Sequence, residues 1–398
     1  MSKNILERLA ETNPEAEIWW DSSPLIYPSW KEETLAKAPD AKRAEWTDQL
    51  TRMYDAGTIA QTGKMGFRGV TTNPPLSLQA IQLAPAQWTA RIKDIAATNP
   101  GLDVEGVYWA TYLDLVKQGA DAIAPVYKAS GGKYGMLSGQ VDPRFVTDGD
   151  RMLAQGLSIA AMGENVMVKL PGSKEGYEVL EELTARGIST NNTTSFTVSQ
   201  YSRCMAAVTA GLQRARAAGV DVSKHRSVIT HMSSRLGQLS DWQREAKLRG
   251  IELSMMEIRD GEEAVLKRAY WFGKSINHPS KMLQCSMRVE KDDNGNTVSR
   301  HIQDFAGSDM VYTCPPSYIA GLMDAEDELA FDPKAIERAP NPKSIEKLMK
   351  LPSFRAAYEF EGQKPEEFAR YGSFQATATE FALATRQTVD FVRMVVEG

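Results

Sequence analysis

The stretch "NVMVKLPGSKEGYEVLEELTARGISTNNTTSF", residues 165–196, decides how the fold is read. It opens on a short apolar run, 165–172, closed by Pro171 and Gly172. Next, Tyr177, Leu180, Leu183 and Ala185 recur at near-helical spacing, and Gly187 stands where a helix C-cap belongs. A second short segment, 187–196, follows. Short apolar runs bounded by turn residues suit strands buried on both faces, as in a parallel sheet.

The same alternation extends in both directions. Candidate strands lie at 17–23, 68–73, 134–142, 165–172, 187–196, 227–234, 282–288 and 309–316. Amphipathic stretches separate them, such as "DPRFVTDGDRMLAQGLSIAAMG" and "TVSQYSRCMAAVTAGLQRARAAG". About eight alternating β and α units predict an α/β fold of the TIM (β/α)8 barrel type with additional helices. A doubly wound open sheet is the alternative. Residues 238–281 predict a helical insertion and 320–398 a helical C-terminal extension, with no Gly/Ser-rich linker before either. The expectation is one domain over 1–398. The polar "EKDDNGNTVSRH" (290–301) predicts an exposed hairpin or loop around Asn294-Gly295.

Composition narrows the function classes. Lys and Arg total 46 against 51 Asp and Glu, a net charge of −5, so general attraction to nucleic acid or anionic membrane is not expected. The 3 cysteines lack CxxC spacing, which suits a reducing compartment. The 4 histidines form no HxxxH or HExxH pair, so a metal site has no support. No apolar run is long enough for a membrane span, and the start does not read as a signal peptide. A cytoplasmic location is expected. Nucleotide-cofactor motifs are absent.

Within 166–173, "VMVKLPGS", one lysine interrupts the apolar run. Burying its charge is costly unless a partner or a lowered pKa relieves it. Lys169 is either a strand-end lysine, snorkelling or paired, or a Schiff-base nucleophile whose desolvated amine attacks carbonyls. Barrel active sites gather at the C-terminal strand ends. The polar residues there are Asp21, Thr71, Thr72, Asn73, Gln140, Lys169, Asn191, Thr193, Thr230, Ser234, Arg235, Ser286 and Arg288.

Several motifs in chain order now carry a resemblance. "RGVTTNPP" resembles the transaldolase signature GVTTNPS, and "VMVKLPGSKEG" resembles that family's Schiff-base strand. "GISTNNTTSFTVSQ" keeps Asn191, Thr193, Phe196 and Gln200 in the family's register. "VITHMSSRLG" and "CSMR" are similar to the I-S-P-F-V-G-R and A-S-F-R motifs. The resemblance runs from about residue 17 to 325. It implies a TIM barrel that moves a dihydroxyacetone unit between sugar phosphates without metal or organic cofactor. It implies that Lys169 forms the Schiff base, that Asp21 exchanges the proton, and that Thr193 orients a water. Asn73 and Asn191 would hold donor hydroxyls, with Thr71 and Thr230 as further substrate contacts. Arg235, Ser286 and Arg288 would bind phosphate, for which the arginine fork is suited. A homo-oligomer, most simply a dimer, is implied too. Read alone, Asp21 is equally a turn or cap residue, and the two arginines are equally surface ion-pair partners.

Three positions depart from the family pattern. Gln140 stands where most transaldolases have a proton-shuttling Glu, and a glutamine cannot titrate. The family's fructose-6-phosphate aldolase branch also has Gln there. Met232 replaces a Phe or Tyr, and His231 replaces a Pro. If strand alternation holds, His231 faces away from Met232 and is structural. Transfer of a dihydroxyacetone unit to an aldehyde is the expected reaction. The alternatives are a class I aldolase using free dihydroxyacetone and a non-catalytic sugar-phosphate binder.

Overall fold

Short β-branched and apolar segments form strands wherever the sequence alternation expects them. The computed structural model describes residues 2–55, 57, 61 and 66–398. In chain order the strands are β1 (Glu17–Asp21), β2 (Gly69–Thr71), β3 (Met136–Gln140), β4 (Val166–Pro171), β5 (Thr190–Ser195), β6 (Ser227–Met232), β7 (Lys281–Cys285), β8 (Glu290–Lys291), β9 (Thr297–Val298) and β10 (Val311–Cys314). Eight of them close a parallel barrel in the order β1-β10-β7-β6-β5-β4-β3-β2, surrounded by helices. This is the TIM barrel with additional helices. The open-sheet alternative fails because the strand order closes on itself. β8 and β9 form the antiparallel hairpin expected around Asn294-Gly295, its turn closed by Asp292 N–H to Asn296 O at 2.9 Å.

Between β6 and β7 run helices Ser233–Leu239, Trp242–Leu248 and Met255–Ser275. After β10 the chain is mostly helical, ending in Gly372–Glu397. Among the described residues no helix is long and apolar enough to cross a membrane.

By packing, the chain divides into two compact units, Trp20–Lys169 with Ala378–Gly398, and Met1–Trp19 with Leu170–Thr377. In the first, helices Val104–Ala129 and Gly149–Ala160 lie against β3. A Cβ on Gly139 would stand 2.7 Å from Ile159 and 3.3 Å from Val116. That face of β3 is therefore the helix-facing one, and strand alternation turns Ser138 and Gln140 to the barrel interior. β4 is in register with β3, Gly139 beside Val168 and Gln140 beside Lys169. Val168 thus faces the helices, and Lys169 faces inward.

In the second unit, Ser173 Oγ accepts the Gly176 N–H at 3.0 Å and starts helix Lys174–Ala185. That helix buries Tyr177, Leu180 and Leu183. It ends at Gly187, whose φ of 77° lets Ile188 N–H reach Leu183 O at 3.0 Å. At the start of β1, Glu17 is buried and accepts from Lys281 Nζ at 2.8 Å, from Trp19 Nε1 at 2.9 Å and from Arg226. Burial alone would raise its pKa, but Arg226, Lys281 and the hydrogen bonds from Lys281 and Trp19 hold it below the ordinary carboxylate value. A depressed native pKa gives stability that is full above the unfolded value, about 4.3, and is lost as pH falls through the native value. Glu17→Gln is therefore expected to destabilise the fold by about 3 kcal/mol at neutral pH. The difference from the parent should shrink on acidification below about pH 4 in urea unfolding. A pH-independent difference would contradict this account.

Candidate active site

The buried lysine has a partner. Lys169 is 4% exposed, and its Nζ donates to the Thr72 carbonyl at 2.8 Å. Desolvation is thus partly offset by a hydrogen bond, and the apolar run around it is explained by alternation: Val168 and Leu170 serve the outer face. Beside Lys169 in register lies Gln140, also buried. Tyr112 clamps the Gln140 backbone. Its hydroxyl accepts the Gln140 N–H at 2.7 Å and donates to the Gln140 carbonyl at 2.8 Å. The Gln140 Oε1 has no hydrogen-bond partner among the described residues. A buried acceptor left so costs about 1–3 kcal/mol, which makes it a ready acceptor for a ligand hydroxyl.

Asp21 and Thr71 are abreast on β1 and β2, and Thr71 Oγ1 donates to Asp21 Oδ1 at 2.7 Å. Thr71 is in turn abreast of Ser138. Residues in register share a face, so Asp21, Thr71, Ser138, Gln140 and Lys169 all project inward. Thr72 Oγ1 donates to Ser138 O at 2.7 Å, which fixes the peptide that receives the lysine. Asn73 caps helix Pro74–Leu83, its Oδ1 accepting the Leu76 N–H at 3.0 Å.

The remaining predicted residues lie in the other unit. Asn191 Oδ1 accepts from Thr230 Oγ1 at 2.7 Å, joining β5 to β6. β5 is irregular between Asn192 and Ser195, and Thr194 takes a φ of 49° there. Such a bulge re-aims side chains near a site. Thr193 is fully buried, and its Oγ1 has no partner among the described residues. Its carbonyl accepts the Gly172 N–H at 2.7 Å. Gln200 secures the bend: Nε2 donates to Gly172 O at 2.8 Å, and Oε1 accepts the Phe196 and Thr197 N–H groups. The Gln200 of the sequence motif is thus an internal brace.

Ser234, Arg235, Ser286 and Arg288 follow β6 and β7. Ser286 has a φ of 56°, an uncommon conformation for a side-chain-bearing residue, and its carbonyl accepts the Ser234 N–H at 3.2 Å. Arg235 is half-buried and Arg288 exposed. His231 points at helix Val198–Ala217, where its Nδ1 meets the Tyr201 hydroxyl. Burial, with a smaller contribution from His301, lowers its pKa to about 3, so it stays neutral at physiological pH. Tyr112 and the Thr72 carbonyl escape sequence reasoning: neither a helix tyrosine nor a backbone acceptor carries a motif.

The profile of the family described as Transaldolase/Fructose-6-phosphate aldolase matches residues 47–362. The chain is 35% identical over 208 residues to Transaldolase 1 of Streptomyces avermitilis, covering 51% of this chain and 54% of that protein. It is 33% identical over 223 residues to a transaldolase of Saccharopolyspora erythraea, covering 55% and 60%. With a transaldolase of Mycolicibacterium smegmatis the identity is 32% over 206 residues, covering 51% and 55%. The chain spans about half the length of the curated relatives it matches. Because the family profile covers most of its length, the chain belongs to the transaldolase/fructose-6-phosphate aldolase family.

Proposed function

We propose that the chain is a transaldolase-like transferase that moves a dihydroxyacetone unit from a ketose phosphate to an aldehyde through a Schiff base on Lys169. The observation that carries this reading is the inward, buried Lys169, abreast of Gln140 on β3, with Asp21 on the same inward face of β1 and held by Thr71. The neutral amine attacks the ketose carbonyl, and the carbinolamine loses water to give an iminium. Asp21 accepts the proton of the donor hydroxyl as the adjacent carbon–carbon bond breaks; that hydroxyl carbon becomes the carbonyl of an aldose phosphate, which leaves as the first product, and the electron pair passes into the iminium to form an enamine. The enamine adds to the acceptor aldehyde, and Asp21 returns the proton to the new alkoxide. Water then hydrolyses the iminium and frees Lys169. Thr193 and Gln140 each offer a buried, unpartnered oxygen suited to holding that water. Asn73, Asn191, Thr71 and Thr230 contribute substrate contacts, and Arg235, Ser286 and Arg288 take the phosphate.

One observation favours a second reading. Gln140 cannot shuttle protons, and at this position the chain resembles the fructose-6-phosphate aldolase branch. A class I aldolase that releases or uses free dihydroxyacetone fits that residue.

Both readings require a covalent adduct. The protein is incubated with fructose 6-phosphate or dihydroxyacetone, reduced with borohydride and mapped by mass spectrometry. A reduced three-carbon adduct on Lys169 is expected. No adduct with either ketone sinks the enzymatic reading and leaves a binding protein. Assays with and without an acceptor aldehyde then separate transferase from aldolase.

A further inference from the structure

Outside the barrel interior, helix Met255–Ser275 carries a run of buried charged residues that the proposed chemistry does not use. At its centre is Glu262, 1% exposed. Its Oε1 accepts the Gly237 N–H at 3.1 Å. Gly237 belongs to the short helix Ser233–Leu239 that carries Arg235. Its Oε2 meets His301 Nε2 at 2.9 Å. Arg259 neutralises the carboxylate, its Nη1 lying 2.8 and 2.9 Å from the two oxygens, and its other edge grips Glu290.

His301 passes the contact on. The Arg288 N–H donates to His301 Nδ1 at 3.1 Å, so that nitrogen is the acceptor. The ring proton is then on Nε2 and is donated to Glu262. The other side of the same residue is held as well: Ser299 Oγ donates to Arg288 O at 2.8 Å and meets the Tyr318 hydroxyl at 2.5 Å. The Arg288 side chain is exposed while both of its backbone polar groups are fixed by buried side chains. One carboxylate thereby ties the Arg235 helix directly, and the Arg288 loop through an imidazole. The Ser234–Ser286 backbone bond joins the same two segments from the other side.

We infer that Glu262, His301 and Ser299 are positioning residues that hold Arg235 and Arg288 in the geometry for a phosphate group of the substrate. This rests on the phosphate role proposed above for the two arginines. Neither Glu262 nor His301 touches the ligand in this scheme. They set where the guanidinium groups stand by fixing the backbone on which the two side chains are mounted.

Conservative replacements separate positioning from mere structure. In His301→Gln the side-chain amide reproduces the donor toward Glu262 but offers no acceptor at the Nδ1 position. In His301→Asn the side-chain oxygen stands near the Nδ1 position and can still accept the Arg288 N–H. The full-length variants are titrated with inorganic phosphate by calorimetry, and Lys169 trapping is measured with unphosphorylated dihydroxyacetone. His301→Gln is expected to weaken phosphate binding about tenfold. His301→Asn is expected to restore it to within about threefold of the parent, and the dihydroxyacetone adduct is expected to be unchanged in both. Ser299→Ala, which frees the other side of Arg288, carries the same expected phosphate loss and serves if His301→Gln does not fold. Equal phosphate affinity in His301→Gln, Ser299→Ala and the parent would overturn the inference while Arg288→Ala still loses binding. If Arg235→Ala and Arg288→Ala leave phosphate affinity intact, the phosphate reading falls and this inference falls with it. The trapping result at Lys169 stands apart from both.

Discussion

Lys169→Met is expected to lower turnover by about 10,000-fold or more and to leave no borohydride-trapped adduct, while the fold persists. Methionine matches the lysine stem in length and suits the packed surroundings of β4. It removes the amine that the proposed covalent steps run through, and no other residue on the inward faces of β1 to β4 offers a replacement amine at that register. The Thr72 carbonyl loses its donor, a cost of about 1–3 kcal/mol. Against this, the desolvation of an ammonium group is relieved. The net change in unfolding free energy is expected to stay within about 1 kcal/mol, read by urea denaturation. Retained turnover, or an adduct on another lysine, would move the nucleophile elsewhere.

Asp21→Asn is expected to reduce kcat by about 100- to 10,000-fold and to spare the adduct. Asparagine keeps an oxygen that accepts from Thr71 Oγ1, so the pairing between β1 and β2 survives. What disappears is the capacity to take and return a proton. The Schiff base then forms with fructose 6-phosphate but does not cleave, so the trapped species should retain the full six-carbon skeleton. Mass spectrometry distinguishes it from the three-carbon adduct of the parent. Loss of trapping in Asp21→Asn, or turnover within tenfold of the parent, would assign the proton transfer to another group.

The barrel was legible because alternation is a local property. Most strand-forming segments are short, apolar or β-branched and closed by turn residues, with amphipathic helices between them, although β5 itself is polar throughout. Lys169 was legible for a related reason: one cation in an apolar run demands an explanation at any register. Its partner was not, because the Thr72 carbonyl belongs to the backbone and any residue type supplies one. The motif tail Ser173-Lys174-Glu175-Gly176 was visible without its cause. A Cβ on Gly176 would lie 2.1 Å from the Pro171 carbonyl, so the turn out of β4 closes only on glycine.

Charge misleads in helix Met255–Ser275. "EIRDGEEAVLKR" is rich in charge, yet Ile258 to Lys267 are buried without a break. The charges are matched internally: Arg300 reaches Asp260 and Glu263, Lys267 reaches Glu263, and Arg259 bridges Glu262 and Glu290. Arg259–Glu262 and Lys267–Glu263 follow helical i,i+3 and i,i+4 spacing, but Arg300 and Glu290 come from far along the chain, and no spacing rule announces them. His301 likewise has no neighbouring histidine or cysteine to single it out. Ser286 and Thr194 adopt left-handed backbone conformations that their residue types do not announce.

The close approach at Gly237 has an evolutionary consequence. A Cβ there would meet Glu262 Oε1 at 2.2 Å and Ile258 at 2.4 Å, and Glu262 is the acceptor that His301 requires. Positions 237, 262 and 301 are therefore one mutational unit. Drift that adds a side chain at 237 collides with the carboxylate, and drift that removes the carboxylate strands both the imidazole and Arg259. A lineage leaving this arrangement must change several positions together, so the three should appear or vanish as a set across relatives.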